Sequence, residues 1–220
     1  DVALYYRQPL SLPWGESYLG AGLNISNLGG KMSYDEGTTQ NFIPANLRLG
    51  VSYEIPFDNY NRLMATVECN KMLVPTYDSK FAVDANGNAL NGQPLQDWYS
   101  SISSPNGWWQ SFCDAPGYYN EDKGKYVSPL AEEFQEVQWG VGLEYSYNRQ
   151  FFGRVGYSHE NFWKGNRRYV TVGAGFHLSI FSLDFAYCIA TAPSNPLDQT
   201  MRFTLGFDLA GIKDLVNNRK

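Results

Sequence analysis

Long runs in which apolar and polar residues alternate organise the second half of the chain. In VQWGVGLEYSY, residues 137–147, every odd-numbered residue is apolar or aromatic and every even-numbered residue is glycine or polar. Three polar residues, 148–150, separate this run from a similar one at residues 151–160. A period of two over about ten residues indicates a strand with one apolar and one polar face, and two such strands joined by a short connection form a hairpin. Strands of this length are typical of transmembrane β-barrels, since strands of globular proteins are usually about 5–6 residues long.

The same alternation recurs along the chain and predicts eight complete strands and one fragment. The fragment is residues 1–7, and residues 8–15, which contain two prolines, are predicted to form a turn. The complete strands are predicted at residues 18–28, 42–55, 61–73, 136–147, 151–160, 168–178, 181–189 and 200–209. We therefore expect an all-β fold, an antiparallel transmembrane β-barrel, whose lipid-facing positions include Leu49, Val51, Leu143, Val155, Phe185 and Leu205. Because residue 1 already lies in a strand, we expect residues 1–220 to be the C-terminal part of one larger barrel.

The connection at residues 74–133 is much longer than an ordinary loop, and it is predicted to be irregular and extracellular. It contains eight acidic and three basic residues, so its charge of −5 equals the net charge of the whole chain. Its aromatic residues lie among Asn, Ser and Gly, a composition typical of protein-binding surfaces. The alternative is that they pack the loop onto the barrel rim. The candidate partner-binding residues are Trp98, Tyr99, Trp108, Trp109, Phe112, Tyr118 and Tyr119.

Charged residues on the polar face of neighbouring strands are predicted to meet across the sheet. The turn positions give four pairs, which are Glu144 with Arg154, Glu54 with Arg62, Arg48 with Glu68, and His177 with Asp184. Opposite charges directly across an antiparallel pair stabilise it, whereas Arg or Lys in mid-bilayer hydrocarbon costs about 2–4 kcal/mol. We therefore expect these pairs to line a water-filled or plugged lumen.

Composition and motif content argue against several classes of function. A net charge of −5 and a pI near 5.0 argue against nucleic acid as a partner. The three cysteines are widely spaced and are expected to be free thiols, and no metal-ligand spacing or cofactor motif is present. His177, Asp184 and the nearby serines lack a recognisable oxyanion hole. We therefore predict no catalytic, cofactor-binding or metal-binding residues and no enzymatic activity.

Two stretches of the first third carry a family resemblance. NISNLGGKMSYDEGTTQNFIPANLRLGVSYEIP at residues 24–56 and NKMLVPT at residues 70–76 resemble PorV, the outer-membrane barrel family of the type IX secretion system. PorV is grouped with barrels similar to the FadL transporters of long-chain fatty acids. The resemblance implies a barrel of fourteen strands in the bacterial outer membrane, in contact with outer-membrane lipid and lipopolysaccharide.

The resemblance also implies a non-enzymatic role in protein secretion. Proteins of this family bind the C-terminal signal domain of secreted cargo, take the cargo from the translocon barrel and pass it to the sortase-like attachment complex. The alternative function is that of a FadL-like transporter of hydrophobic small molecules. The long acidic loop favours the first function, because a transporter needs a hydrophobic pocket more than a surface on which a protein docks.

Overall fold

A computed structural model of the chain describes residues 1–13, 15–33, 40–178, 180–192 and 197–208. The strands in this part are β1 (Val2–Leu12), β2 (Gly15–Ser26), β3 (Met32–Ser33), β4 (Gln40–Asn41), β5 (Asn46–Pro56), β6 (Asn61–Met72), β7 (Tyr118–Asn120), β8 (Lys125–Val127), β9 (Gln138–Tyr147), β10 (Phe151–His159), β11 (Tyr169–His177), β12 (Phe181–Ala190) and β13 (Met201–Phe207). The helices are α1 (Gln93–Ser101), α2 (Ser104–Gln110), α3 (Pro129–Gln135) and a 3-10 helix at Phe162–Lys164. No helix within the described residues is long and apolar enough to cross a membrane.

Nine strands form one large sheet with the order β1-β2-β5-β6-β9-β10-β11-β12-β13. Successive long strands are sheet neighbours, and the pairs from β9 to β13 are antiparallel. The pairs β3–β4 and β7–β8 are separate two-stranded hairpins. The predicted antiparallel, mostly β fold is confirmed, and closure of the sheet into a barrel stays a prediction. The predicted fragment at residues 1–7 lies in β1, which has eleven residues, so the sheet has nine long strands over the described residues.

Strand β9 shows the reverse of the burial pattern found in a soluble protein. Along β9 the odd-numbered residues are exposed, including Leu143 at 47%, whereas the even-numbered ones are half-buried or, like Ser146, buried. In soluble sheets the alternation places apolar residues inside and polar residues outside. We call the side that carries Leu143 and Val155 the apolar face, and the side that carries Glu144 and Arg154 the polar face. Leaving one large aliphatic side chain in water costs roughly 1.5–3 kcal/mol, so an apolar face of this kind is typical of a surface that contacts lipid or another protein.

Five of the six positions predicted to point outward are exposed: Leu49, Val51, Leu143, Val155 and Leu205. Phe185 is half-buried, because its ring lies 5.1 Å from the ring of Phe203 on the neighbouring strand.

The chain divides into two compact units. The first comprises Asp1–Leu4, Gly22–Leu49 and Cys69–Gln138, and its buried apolar residues are Ala45, Leu73, Ala82, Leu95, Ile102 and Ala115. The second comprises Tyr5–Ala21, Gly50–Glu68 and Trp139–Lys220. Within the described residues of this second unit, Ala192 is the one buried hydrophobic residue. The second unit therefore lacks an apolar core of the soluble type over its described part.

The predicted turn at residues 8–15 is wrong. β1 continues through Pro9 to Leu12, and β2 starts at Gly15, so the connection is much tighter than predicted. β1 is at the end of the sheet order, and edge strands are where proline is found in sheets.

The predicted register of β11 and β12 is wrong by two residues. His177 lies opposite Ser182, and Asp184 lies opposite Gly175. The predicted irregular loop at residues 74–133 is also wrong, since it contains α1, α2, most of α3 and the hairpin β7–β8. Residue 209, the last of the predicted strand at residues 200–209, and the tail at residues 210–220 lie outside the described residues.

Candidate functional site

The connection between β6 and β9, residues 73–137, which we call the inter-strand segment, is held together by buried carboxylates. Asp114 is fully buried, and its two oxygens accept hydrogen bonds from the Thr76 backbone N–H at 2.7 Å and the Thr76 hydroxyl at 3.1 Å. Burial raises the pKa of the Asp114 carboxyl to about 6, against the effect of the two Thr76 hydrogen bonds. The nearby charges of Glu133 and Glu136 raise this pKa further. A buried carboxylate in this setting ties two distant parts of the segment to each other.

Two more carboxylates come from α3. Ser128 caps this helix by accepting a hydrogen bond from Ala131 N–H, and Pro129 occupies its first turn. Glu133 accepts the backbone N–H of Ala115, and Glu132 accepts that of Gly117, both at 2.8 Å. The polar side of α3 therefore holds the chain that leads into β7.

Lys71, near the end of β6, forms the ion pairs of this region. Its ammonium lies 3.1 Å from Glu133 Oε2 and 2.8 Å from Glu136 Oε2. Lys71 has the odd parity of the apolar positions Leu63 and Val67, yet it is buried. A lysine at an apolar position near a strand end was a signal that acidic residues of the following segment would cover it.

The seven aromatic residues predicted to bind a partner separate into two groups. Trp109, Tyr119 and Phe112 are exposed, at 77%, 62% and 44% respectively. Trp98, Tyr99, Trp108 and Tyr118 are half-buried.

Two of the half-buried rings hold the segment together. The ring of Tyr99 contacts the rings of Phe42 and Tyr77 with centroids 5.2 and 5.1 Å apart, and its hydroxyl donates to the Pro75 carbonyl. The Tyr118 hydroxyl donates to Gln135 Oε1 at 2.9 Å. These contacts match the alternative in which part of the set packs the segment.

Three apolar residues of the segment that are more than 60% exposed were missed by the sequence analysis. Leu130 and Phe134 are 68% and 70% exposed, and they are four residues apart on one side of α3. Tyr126 is 63% exposed and lies directly opposite Tyr119 in the β7–β8 hairpin. The signal that could have found the helix pair is the capped sequence SPLAEEF, in which Leu130 and Phe134 flank the two anchoring glutamates. We call Trp109, Phe112, Tyr119, Tyr126, Leu130 and Phe134 the exposed apolar set.

Burial of some acidic residues also makes the surface charge of residues 74–133 smaller than the sequence predicts. Asp114, Glu132 and Glu133 are buried, which leaves five exposed acidic residues, namely Asp78, Asp84, Asp97, Glu121 and Asp122. The three lysines of residues 74–133 are all exposed. The acidic surplus on the surface is therefore two charges instead of five, so electrostatic attraction of a basic partner is weaker than the sequence predicts.

On the polar face, the structure brings together three of the four predicted charge pairs. Arg62 Nη1 lies 2.7 Å from Glu54 Oε1, and Arg7 lies 3.3 Å from the other oxygen of Glu54. Arg154 is directly opposite Glu144 in the ladder, with Nε 2.5 Å from Glu144 Oε2. The pairing of Arg48 with Glu68 stays a prediction.

Arg154 also reaches across β11 to Asp184 on β12. The residue between them is Gly175, where an added Cβ would lie 2.6 Å from Asp184 Oδ1 and 2.9 Å from Arg154 Nη1. His177 Nε2 lies 3.1 Å from Asp184 Oδ2, so this pair forms diagonally despite the register shift. The chemistry of the network is ion pairing. Among the described residues, no group of His, Cys, Asp and Glu is placed to hold a metal ion, and the three cysteines are free thiols.

The fold and the surface define a class of protein, in which a large antiparallel sheet with an exposed apolar face carries a long structured segment between two of its strands. More particularly, residues 1–79 match the model of the family described as type IX secretion system protein PorV. This match covers both motifs of the resemblance and confirms it over these residues, and it supports involvement in type IX secretion. None of the curated proteins matches the chain significantly.

Proposed function

We propose that the nine strands are part of an outer-membrane β-barrel and that the chain binds the C-terminal signal domain of secreted cargo in type IX secretion. The observation that supports membrane insertion best is the exposed apolar face along strands of about ten residues, the length needed to cross a bilayer at a tilt. The polar face, with its ion pairs, then lies in the lumen. Binding and transfer of cargo in this proposal require no covalent chemistry.

The exposed apolar set is the proposed contact surface for cargo. Phe134 and Leu130 lie on the outward side of a helix whose polar side is anchored by Glu132 and Glu133. Tyr119 and Tyr126 stand on a hairpin held by the same helix. Rigidly supported aromatic residues with exposed rings lose little entropy when they bind a partner, which favours them as binding hot spots.

Delivery of cargo from the translocon barrel to the sortase-like attachment complex follows from the same proposal. A cargo surface on the inter-strand segment leaves the apolar face of the sheet in the membrane, so the protein moves laterally with bound cargo. The FadL-like alternative receives less support, because arginine and carboxylate side chains stand beside the apolar ones in both cavities described on the polar face.

The test measures the affinity of the purified protein, in neutral detergent, for a purified C-terminal signal domain of secreted cargo. Trp109→Ala and Phe134→Ala should each weaken binding by about 2 kcal/mol, or roughly thirtyfold, if these rings are hot spots. Neither change removes a hydrogen bond of the segment, so its fold should persist.

Phe57→Ala is the matched control, because Phe57 is a phenylalanine of similar exposure, at 60%, between β5 and β6. Affinity for the signal domain should be unchanged in this variant. Equal affinity in all three variants would contradict the proposal, as would an equal loss in the Phe57 variant.

A further inference from the structure

A cavity of about 270 Å³ lies on the polar side of the second unit. Its lining residues are Arg7, Glu54, Arg62, Met64, Glu144, Ser146, Arg149 and Phe152. These residues come from β1, β5, β6, β9, β10 and the connection between β9 and β10. The cavity is therefore built by several elements of the fold and does not depend on one mobile side chain.

The cavity has more positive charge than its carboxylates neutralise. Glu144 is held by Arg154, which lies outside the lining, and Glu54 is shared between Arg62 and Arg7. Arg149 has no ion pair or side-chain hydrogen bond within the described part of the chain. The lining thus carries three guanidinium groups and two carboxylates, those of Glu54 and Glu144, which leaves a surplus of one positive charge.

Arg149 has a backbone conformation that is strained for arginine and would suit glycine. Arg149 has φ of 53° and follows Asn148 with φ of 51°, and Gln150 N–H donates to the Tyr147 carbonyl across the turn. Positive φ at both central positions is the geometry of a type I′ turn, for which Asn-Gly is the preferred sequence. Asparagine tolerates this conformation, but arginine there is strained where glycine would not be. A long cationic side chain kept at a position suited to glycine points to a use for that side chain.

We propose that this cavity binds a phosphate group, with Arg149, Arg7 and Arg62 as its donors. The guanidinium fork matches phosphate oxygens geometrically, and a phosphomonoester, with about −1.5 to −2 charges at neutral pH, is attracted by the positive surplus of the cavity. Glu144 faces the same space and is paired with Arg154, which also contacts Asp184. Met64 and Phe152 supply an apolar wall beside the arginines, suited to the organic part of a phosphate ester.

The first experiment titrates inorganic phosphate into the protein in neutral detergent by calorimetry, at constant ionic strength set with sodium chloride. Saturable binding is expected for the unmodified protein, and Arg149→Gln should weaken it about tenfold or more, because a charge-assisted hydrogen bond is lost. Arg149→Gly should weaken binding equally while it raises the thermal midpoint of unfolding, because the strain is relieved. This combination separates a binding role from a structural one.

Arg202→Gln is the matched control. Arg202 is an exposed arginine of the polar face that lines the other cavity, so the change removes the same charge but leaves the proposed site intact. Phosphate affinity should be preserved in this variant. Absence of saturable binding, or equal losses in the Arg149 and Arg202 variants, would overturn the proposal in favour of a general charge effect.

Two further arms distinguish the source of the phosphate. Glycerol 3-phosphate represents soluble esters, and lysophosphatidic acid represents lipids. Tighter binding of lysophosphatidic acid, lost with Met64→Ser, supports the site with a lipid as its ligand. Equal affinity for both supports the site with a soluble ester. Binding of lysophosphatidic acid that is insensitive to Arg149→Gln would count against the site, since the contact would then be apolar only.

Discussion

The nine-stranded sheet and the inter-strand segment place their charged side chains in opposite ways. Strands β9 to β13 expose leucine, valine and phenylalanine and turn arginine and carboxylates toward the polar face. The segment at residues 73–137 folds with a small apolar core around Leu95 and Ile102 and buries Asp114, Glu132 and Glu133 as anchors. In the sheet, whether a residue has an odd or even position in its strand determines the face on which its side chain lies. In the segment, hydrogen bonds and ion pairs of individual carboxylates determine which stretches of the chain are in contact.

The difference predicts where each region is vulnerable. The sheet should tolerate exchange among apolar residues on its apolar face but not a charge there. The segment should tolerate polar residues at its exposed positions but not the loss of one partner in a buried ion pair. Each prediction below tests one side of this contrast.

Lys71→Met should have the largest effect, because it leaves Glu133 and Glu136 together without their cation. Removing one partner of a buried ion pair typically costs about 3–5 kcal/mol. The loss should be local, so limited proteolysis should cut the inter-strand segment much faster while the strands remain resistant.

Lys123→Met is the control for this prediction, since Lys123 is an exposed lysine of the same segment whose backbone N–H, which the substitution keeps, donates to Asn120. Its cleavage rate should match that of the unmodified protein. Equal rates in all three proteins would mean that the ion pairs do not hold the segment.

Val155→Arg should destabilise the sheet, because it places a charge on the apolar face. Val155 is 47% exposed and lies opposite Leu143 near the middle of its strand. In a bilayer, arginine at the midplane of the lipid-facing side costs about 2–4 kcal/mol. The denaturant midpoint measured in lipid vesicles should fall accordingly.

Phe134→Arg, at an exposed apolar position of the segment, should leave that midpoint unchanged. If Val155→Arg were as harmless as Phe134→Arg, the apolar face would not contact lipid, and a partner protein or water would have to cover it.

Asp114 gives the segment a pH dependence that the sheet should not share. Its folded-state pKa of about 6 lies above the ordinary value of 3.8, so folding favours the protonated form. The resulting stability is fully present below about pH 4 and is lost as pH rises through 6. A shift of about two units corresponds to about 2–3 kcal/mol. Hydrogen exchange of the segment, measured from pH 4 to pH 8, should report this loss.

Asp114→Asn should remove the pH dependence and leave the segment as stable at pH 8 as at pH 5. The amide can accept from the Thr76 N–H and donate to the Thr76 hydroxyl, so both contacts survive without the charge. A variant that is less stable at pH 8 than the unmodified protein would show that the ionised carboxylate is needed.

Much of the sheet could be predicted from the sequence, because alternation determines strand, face and parity together. The Glu144–Arg154 register followed from one short connection. The β11–β12 register did not, because a shift by two residues keeps every side chain on its face and alternation cannot distinguish the two. Asp184 reaches both Arg154 and His177 only because Gly175 leaves room, a steric fact that no periodicity contains.

The segment was less predictable for a different reason. Its helices have seven to nine residues, too short for a clear period of 3.6, and its turn-forming residues hid them. The serine-proline pairs at Ser104–Pro105 and Ser128–Pro129 were available as start signals. The buried role of Asp114 was not, since an aspartate in a glycine-rich, proline-rich stretch is usually a solvated turn residue.

Gly175→Ala should have the smallest effect. It tests whether the side chains of the polar face are tightly packed or are separated by water. The new Cβ would meet Asp184 Oδ1 at 2.6 Å and Arg154 Nη1 at 2.9 Å, so the Arg154–Asp184 contact must open. These side chains are about a third exposed, so water would compensate part of the loss, and we expect a cost of about 1 kcal/mol in the free energy of unfolding. Gly153→Ala is the control, because Gly153 is a strand glycine with nothing within 4 Å of an added Cβ, and it should change stability by less than about 0.5 kcal/mol. A denaturant midpoint equal in both variants would mean that the polar face yields freely, and the ion-pair network would then resemble a hydrated lumen surface more than the anchored carboxylates of the segment.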